Sequence, residues 1–242
     1  MDVVDVLLEI QKKNNLESEK GGISLTRDNI KGIIVDMFTG GIETISTTMN
    51  WAMTDLIKRP EMMKKVQTEI RDIMQSRQRV TEDDTTKMEY LKAVIKETYR
   101  FHPTVPLLLP RESLHNVNIH GYDIPSGTRV IFNMWAIGRD PQSWDNPEVF
   151  APERFLKGGS ASDRDFRGMS FELIPFGAGR RGCPGISYAT PVIELVLASL
   201  LHKFDWSLPN DIKVEDLDVS ESFGVTLVKK YPLNVVATAA AT

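Results

Sequence analysis

The sequence predicts a mainly α chain with small antiparallel β-sheets, an α+β class, on three observations. Apolar residues recur at helical spacing over about 28–58, 61–75 and 89–101. Between 117 and 124 the period drops to two, the mark of short paired strands. The stretch from 136 to 182 is rich in proline, glycine and aromatic residues with little periodicity, and so long an irregular segment inside a domain usually serves a function.

Each element has its own signals. In the opening segment, Val3, Val6, Leu7 and Ile10 form one apolar stripe with no cap before it, as though the chain began inside a helix. Residues 11–25, polar and rich in Lys, Glu and Gly, read as a loop. The long helix has Thr26 or Asp28 as candidate N-cap and Pro60 as its stop. Ile30, Ile33, Ile34, Met37, Gly41, Thr48, Met49 and Ala52 fall close to one face of it. At about 1.5 Å per residue it would run roughly 45 Å. Lys31, Asp36, Glu43 and Asp55 oppose a membrane span. Two further helices end at His102-Pro103 and Pro106, where proline removes a donor and restricts the residue before it. Val117, Ile119, Tyr122 and Ile124 alternate around His120-Gly121, and Pro125-Ser126-Gly127 turns the chain toward 129–133, giving a small antiparallel sheet. A final helix is expected from about 185 to 202, bent or started late by Pro191. Phe223 to Val236 reads as a short hairpin around Lys229–Pro232.

Composition narrows the function classes without choosing one. The 242 residues suffice for one large domain or two small ones. A formal net charge of -4 argues against nucleic acid as the partner. The single cysteine excludes an internal disulfide and fits a reducing compartment. No window approaches twenty apolar residues, so neither a signal peptide nor a membrane span is expected. His102, His115, His120 and His202 show no metal-ligand spacing.

The segment PFGAGRRGCPG, Pro175 to Gly185, places that cysteine in a glycine-rich loop just ahead of a helix. Free N–H groups and the positive end of the helix dipole stabilise an anion there, as do Arg180 and Arg181. Such a setting favours a thiolate over an inert buried thiol. A phosphate cradle is excluded: the loop lacks the lysine and hydroxyl residue of a P-loop and the glycine spacing of a dinucleotide fold.

On these residues the loop resembles the haem-ligand signature of the cytochrome P-450 family, F-x-x-G-x-R-x-C-x-G, at Phe176, Gly179, Arg181, Cys183 and Gly185. The resemblance implies haem b, iron protoporphyrin IX, held by the Cys183 thiolate. Arg181 would pair with a haem propionate, Phe176 would pack beside the cysteine, and Gly177 and the other loop glycines would let backbone approach the porphyrin. Three more motifs follow the family's order. Glu97 and Arg100 in KETYR, alone, would read as a surface pair worth a few tenths of a kcal/mol. The resemblance instead buries them beneath the loop together with Arg154 of APERF, as structural residues. In GGIET, Gly40 and Gly41 would make room over the haem, with Thr44 and Glu43 as the catalytic alcohol and acid that handle dioxygen and protons. Ile45 departs from the Thr or Ser of many relatives. Arg111 corresponds to a second propionate contact, and Met37, Phe38, Val105, Leu107, Phe223 and Val225 fall in segments that line the family's substrate pocket.

The resemblance covers nearly the whole chain and is strongest to the large plant family of secondary-metabolism hydroxylases. It implies a single partial domain over 1–242, the family's C-terminal portion, without the N-terminal anchor, the proline-rich hinge and the early helices. The implied function is a monooxygenase oxidising a small lipophilic molecule with dioxygen and with electrons from NADPH through a flavoprotein reductase. A peroxide-rearranging isomerase generally lacks the acid–threonine pair. The contrasting class is a truncated, non-catalytic remnant or interaction protein with weak haem binding. Full-length relatives would sit at the cytosolic face of the endoplasmic reticulum membrane, and this chain without the anchor need not.

Overall fold

The computed structural model describes residues 2–17, 25–209 and 212–240. It has two compact units, Met1–Glu43 and Thr44–Thr242. The first contains α1 (Val3–Glu17) and the beginning of α2 (Arg27–Lys58). Contrary to the expectation of an uncapped start, α1 is capped: the Asp5 N–H donates to Asp2 Oδ1 at 2.9 Å and the Asp2 N–H to Asp5 Oδ2 at 3.1 Å. The helix also runs on to Glu17, past the point where a loop was expected; the rest of that loop, 18–24, lies outside the described residues. Thr26 caps α2, its hydroxyl accepting the Asn29 N–H at 3.1 Å while the Thr26 N–H donates to Asn29 Oδ1 at 2.9 Å.

In the second unit α2 continues to Lys58, and Pro60 opens α3 (Pro60–Met74), as suits a residue without an N–H. Met63, Val66, Ile70 and Met74 bury one stripe of α3. The short α4 (Glu82–Thr85) has a capping box between Thr81 and Asp84, which the sequence reading passed over. Next comes α5 (Glu89–Phe101), buried on most sides. The half-buried Glu69 of α3 caps it from outside: its carboxylate accepts the Tyr90 N–H at 2.7 Å and the Leu91 N–H at 3.0 Å, where the helix end favours an anion.

The middle segment holds two small antiparallel sheets rather than one. Strands β2 (Val117–Ile119) and β3 (Tyr122–Ile124) pair with each other, whereas β4 (Arg129–Val130) pairs with β1 (Arg111–Glu112). One further turn, α6 (Met134–Ile137), precedes an irregular stretch that includes the 3-10 turn Pro152–Phe155. Helix α7 (Ile186–Lys203) does not start late, and Pro191 lies in its second turn. It packs against α3, α4 and α5, with Ile193, Leu197, Ala198 and Leu201 in the core beside Leu56, Ile70, Leu91 and Ile95.

The C-terminal hairpin is a correction. Glu221 and Lys229 form only an isolated bridge. Strand β6 (Val236–Ala239) instead pairs antiparallel with β5 (Phe204–Ser207), directly after α7. Turn residues at 229–232 suggest a local return. The actual partner is a strand about thirty residues earlier, a choice no local pattern encodes.

Candidate haem-binding site

The loop from Pro175 to Gly185 is shaped by its backbone. Gly177 and Gly179 both have φ of +69°, a conformation in which a Cβ is strained. The turn they permit is closed by the Gly177 N–H to the Ile174 carbonyl at 2.9 Å and the Gly182 N–H to the Gly179 carbonyl at 3.0 Å. The Cys183 N–H then donates to the Phe176 carbonyl at 2.8 Å. Gly185, the N-cap of α7, donates its N–H toward Cys183 Sγ at 3.3 Å, and the sulfur is left exposed. Arg180 and Arg181 are exposed beside it, and the Arg111 guanidinium donates to the Arg181 carbonyl at 3.1 Å.

Aromatic packing fixes the loop from below. The Phe176 ring meets Tyr99 edge-on at 5.2 Å and lies 5.8 Å from Phe166, and Tyr99 also meets Phe166 at 5.3 Å. Tyr99 was not singled out from the sequence, although its place between Glu97 and Arg100 was the available signal. Burial pushes its phenol pKa up, well above the ordinary tyrosine range.

Glu97 and Arg100 are fully buried, not a surface pair. Arg100 Nε and Nη2 donate to the two Glu97 oxygens, each at 2.7 Å, in a bidentate pair. Its remaining N–H groups reach the carbonyls of Gly138 at 2.6 Å, Pro147 at 2.8 Å and Val149 at 3.0 Å. Arg154 Nε donates to Glu97 Oε1 at 3.2 Å, and the Ala151 N–H adds a further bond to that oxygen at 2.7 Å. Arg154 also donates to the carbonyls of Asp145 at 2.7 Å and Val149 at 3.1 Å. The three side chains thus stitch α5 to the irregular stretch that leads into the cysteine loop. Satisfying so many donors is what makes buried charge tolerable.

Other expected site residues divide between the units. Met37, Phe38, Gly40, Gly41 and Glu43 lie on α2 within the first unit, and Met37, Phe38 and Glu43 are exposed. Thr44 opens the second unit and is half-buried. Val105 and Leu107 follow α5, with Val105 half-buried and Leu107 exposed. Phe223 and Val225 are exposed on a separate loop, tied to the first where the Leu227 N–H donates to the Thr104 carbonyl at 2.8 Å.

The donor set fits a haem. Among the described residues no group of three or more His, Cys, Asp or Glu could hold a metal ion, and Cys183 would offer a single soft donor to a haem iron. An iron bound there would need its remaining ligands from a macrocycle, and an exposed Cys183 whose sulfur has an N–H donor suits such a group. Among the described residues, too, no helix is long and apolar enough to cross a membrane.

Comparison with known proteins agrees with this geometry. The family model described as Cytochrome P450 matches residues 1–235. Cytochrome P450 71A1 of Persea americana is 51% identical over 236 residues, which is 98% of this chain and 45% of that protein. Norfluorocurarine oxidase of a Strychnos species is 51% identical over 239 residues, again 98% of this chain and 45% of the relative. A zebra fish cytochrome P450 solved with abiraterone superposes with a TM-score of 0.84 at 32% identity, covering 100% of this chain and 53% of its own. The chain spans about half the length of the curated relatives it matches. A match running from the first helix through the cysteine loop means that the chain belongs to the cytochrome P450 family.

Proposed function

We propose that this chain is the haem-binding portion of a monooxygenase, with Cys183 as the thiolate that would hold the iron of haem b. The observation that carries the reading is the exposed Cys183 sulfur in a glycine-shaped loop, with the Gly185 N–H aimed at it. A hydrogen bond to sulfur stabilises the thiolate and moderates its donation. Arg181 and Arg111, linked through the Arg181 carbonyl, are the cations for the two propionates. Phe176, Gly177, Gly179 and Gly185 shape the surface against which the porphyrin rests. When bound, the haem supplies the reductive activation of dioxygen, for which no side chain of the protein is suited.

The remaining roles belong to α2 and the two loops. Glu43 and Thr44 form the acid–alcohol pair that passes protons toward the reacting oxygen, with Gly40 and Gly41 leaving space on the same helix. Met37 and Phe38 on α2, and Val105, Leu107, Phe223 and Val225 on the two loops, are the substrate-pocket residues and offer apolar surface, which suits a small lipophilic substrate. A relative named as an oxidase and neighbours solved with abiraterone or progesterone support a small organic molecule as that substrate. Electrons come from NADPH through a flavoprotein reductase, and one oxygen atom enters the substrate while the other leaves as water. Glu97, Arg100 and Arg154 do not touch substrate; they hold the segment that leads into the loop.

The test is optical. With haem supplied, reduction under carbon monoxide should give a strongly red-shifted Soret band, the mark of a thiolate ligand. Cys183→Ala should abolish it. A normal, unshifted haem–carbon monoxide spectrum in the unmodified chain would sink the assignment of Cys183.

A further inference from the structure

One face of α2 carries polar residues where an apolar stripe would be expected. Thr48, Trp51 and Asp55, spaced three and four apart, are all buried, and each bonds to one of two segments beyond α5. The Thr48 hydroxyl lies 2.9 Å from the Thr104 hydroxyl. The Trp51 indole N–H donates to the Leu227 carbonyl at 2.6 Å. Asp55 Oδ2 lies 2.8 Å from His102 Nε2, so that nitrogen is the donor to the carboxylate, and the imidazole stacks on the Trp51 ring at 4.0 Å.

Direction can be assigned along this chain of bonds. Thr48 Oγ1 also sits 3.0 Å from the Thr44 carbonyl, which can only accept. The single Thr48 hydroxyl proton therefore goes to Thr44, and Thr104 donates to Thr48. Three atoms in series connect the Thr44 backbone to the start of the loop bearing Val105 and Leu107. The Thr104 carbonyl, in turn, accepts the Leu227 N–H at 2.8 Å and so joins the loop bearing Phe223 and Val225. The far side of the first loop is held as well, since the Pro106 carbonyl accepts the Met134 N–H at 2.8 Å. Two residues beyond the second tie, Leu108 sits at a φ of +49° with its N–H closing a turn on the Val105 carbonyl at 3.1 Å, a conformation that a leucine does not choose and that persists only where the surroundings impose it.

We infer that Thr48, Trp51 and Asp55 are positioning residues that hold the two apolar loops as one wall at a set distance from Thr44, with the Thr48–Thr104 hydroxyl pair as the direct link. The inference rests on the reading that Thr44 and these loops border a small-molecule site. A fully apolar stripe would bury the same helix face but would allow the wall to slide, because apolar contact is non-directional. Directional bonds fix its register, and a misplacement of about 1 Å is enough to alter how a bound molecule meets the reacting centre.

Two heterocycles that bind haem iron separate wall position from general integrity. Imidazole presents only the ring that ligates iron, and 1-phenylimidazole carries a second ring for the wall to meet. The haem-loaded chain is titrated optically with each, as wild type, Thr48→Val, Thr104→Val, Thr48→Ser and Thr104→Ser. The valine variants should change 1-phenylimidazole affinity about five-fold, the equilibrium equivalent of one net hydrogen bond, with imidazole affinity unchanged and serine restoring both. Equal shifts for both heterocycles, or none for either, would overturn the inference. Hydrogen exchange on the haem-free chain is the second arm. Loss of the link in Thr104→Val should raise exchange at residues 45–49 of α2 as well as at 105–109. Faster exchange at 105–109 alone would refute the link, even if the wild type shows no thiolate band and the haem assignment itself fails.

Discussion

Glu97 meets two arginines and a backbone N–H at full burial, so each carboxylate oxygen depends on the donors placed around it. Replacing Arg100 by Leu would leave Glu97 Oε2 without its partner and only Arg154 and the Ala151 N–H on Oε1, and breaking a buried pair from one side costs about 3–5 kcal/mol. Chemical denaturation of Arg100→Leu should therefore show a loss of that order, and a loss under about 1 kcal/mol would mean that water reaches the site. Gly138 is a neighbouring point of intolerance. A Cβ there would stand 2.4 Å from the Arg100 carbonyl oxygen, and the atom in the way is backbone. Gly138→Ala should cost about 1–3 kcal/mol through overpacking, measurable in the same assay.

The elements hold one another by their ends as much as by their faces. Helix α5 begins without a capping side chain of its own, because Met88 occupies the N-cap, and Glu69 of α3 supplies the missing acceptor. Glu69→Ala should destabilise the protein by about 1 kcal/mol, the ordinary worth of an N-terminal cap. Exchange of the Tyr90 and Leu91 amides should rise most, and unchanged exchange at those two positions would show that water replaces the carboxylate without loss. The same turns of α3 also carry Gln67, which donates to the Phe204 carbonyl at 2.9 Å, and Arg71, which pairs with Asp205 at 2.7 Å. Both bonds bring α3 to the strand that receives β6.

Across the whole molecule, two carboxyls pull stability against pH in opposite directions. Hydrogen bonds from Arg77, and then from Thr81, hold Asp84 down at about 2. Its contribution is present above the unfolded carboxylate range and fades as pH falls toward 2. Glu194, in a cleft with Lys92 and Arg167, is pushed up by burial, against the weaker pull of Lys92 and Thr85. Its folded form prefers the proton, so the stability it gives below the ordinary carboxylate range is lost as pH rises through the raised value. Thermal unfolding across pH should therefore show Asp84→Asn less stable than wild type at neutral pH, the gap closing on acidification. Glu194→Gln should be more stable at neutral pH, its advantage vanishing in acid. A reversed sign for either variant would contradict the assigned cause.

The sequence by itself determined the features whose cause is local. Period-3.6 stripes placed the helices because an amphipathic face needs only its own residues to be read. The glycines and the lone cysteine of 175–185 marked the loop, since left-handed turns and an anion-friendly helix start leave their signature in residue type. Asp2, Thr26 and the Thr81–Asp84 box were equally local but lay outside the periodic segments, which is why two of the three went unnoticed. Only the tertiary structure decided the depth of Glu97 and Arg100, a spacing that reads the same on a surface helix and in a core. It alone decided that β6 pairs with β5, and that Thr48, Trp51 and Asp55 reach Thr104, Leu227 and His102. Those contacts join residues from 29 positions apart, Ser207 and Val236, to 176 apart, Trp51 and Leu227. Which partner is chosen follows from the total surface buried and the donors satisfied when the chain closes, a balance that no single segment carries.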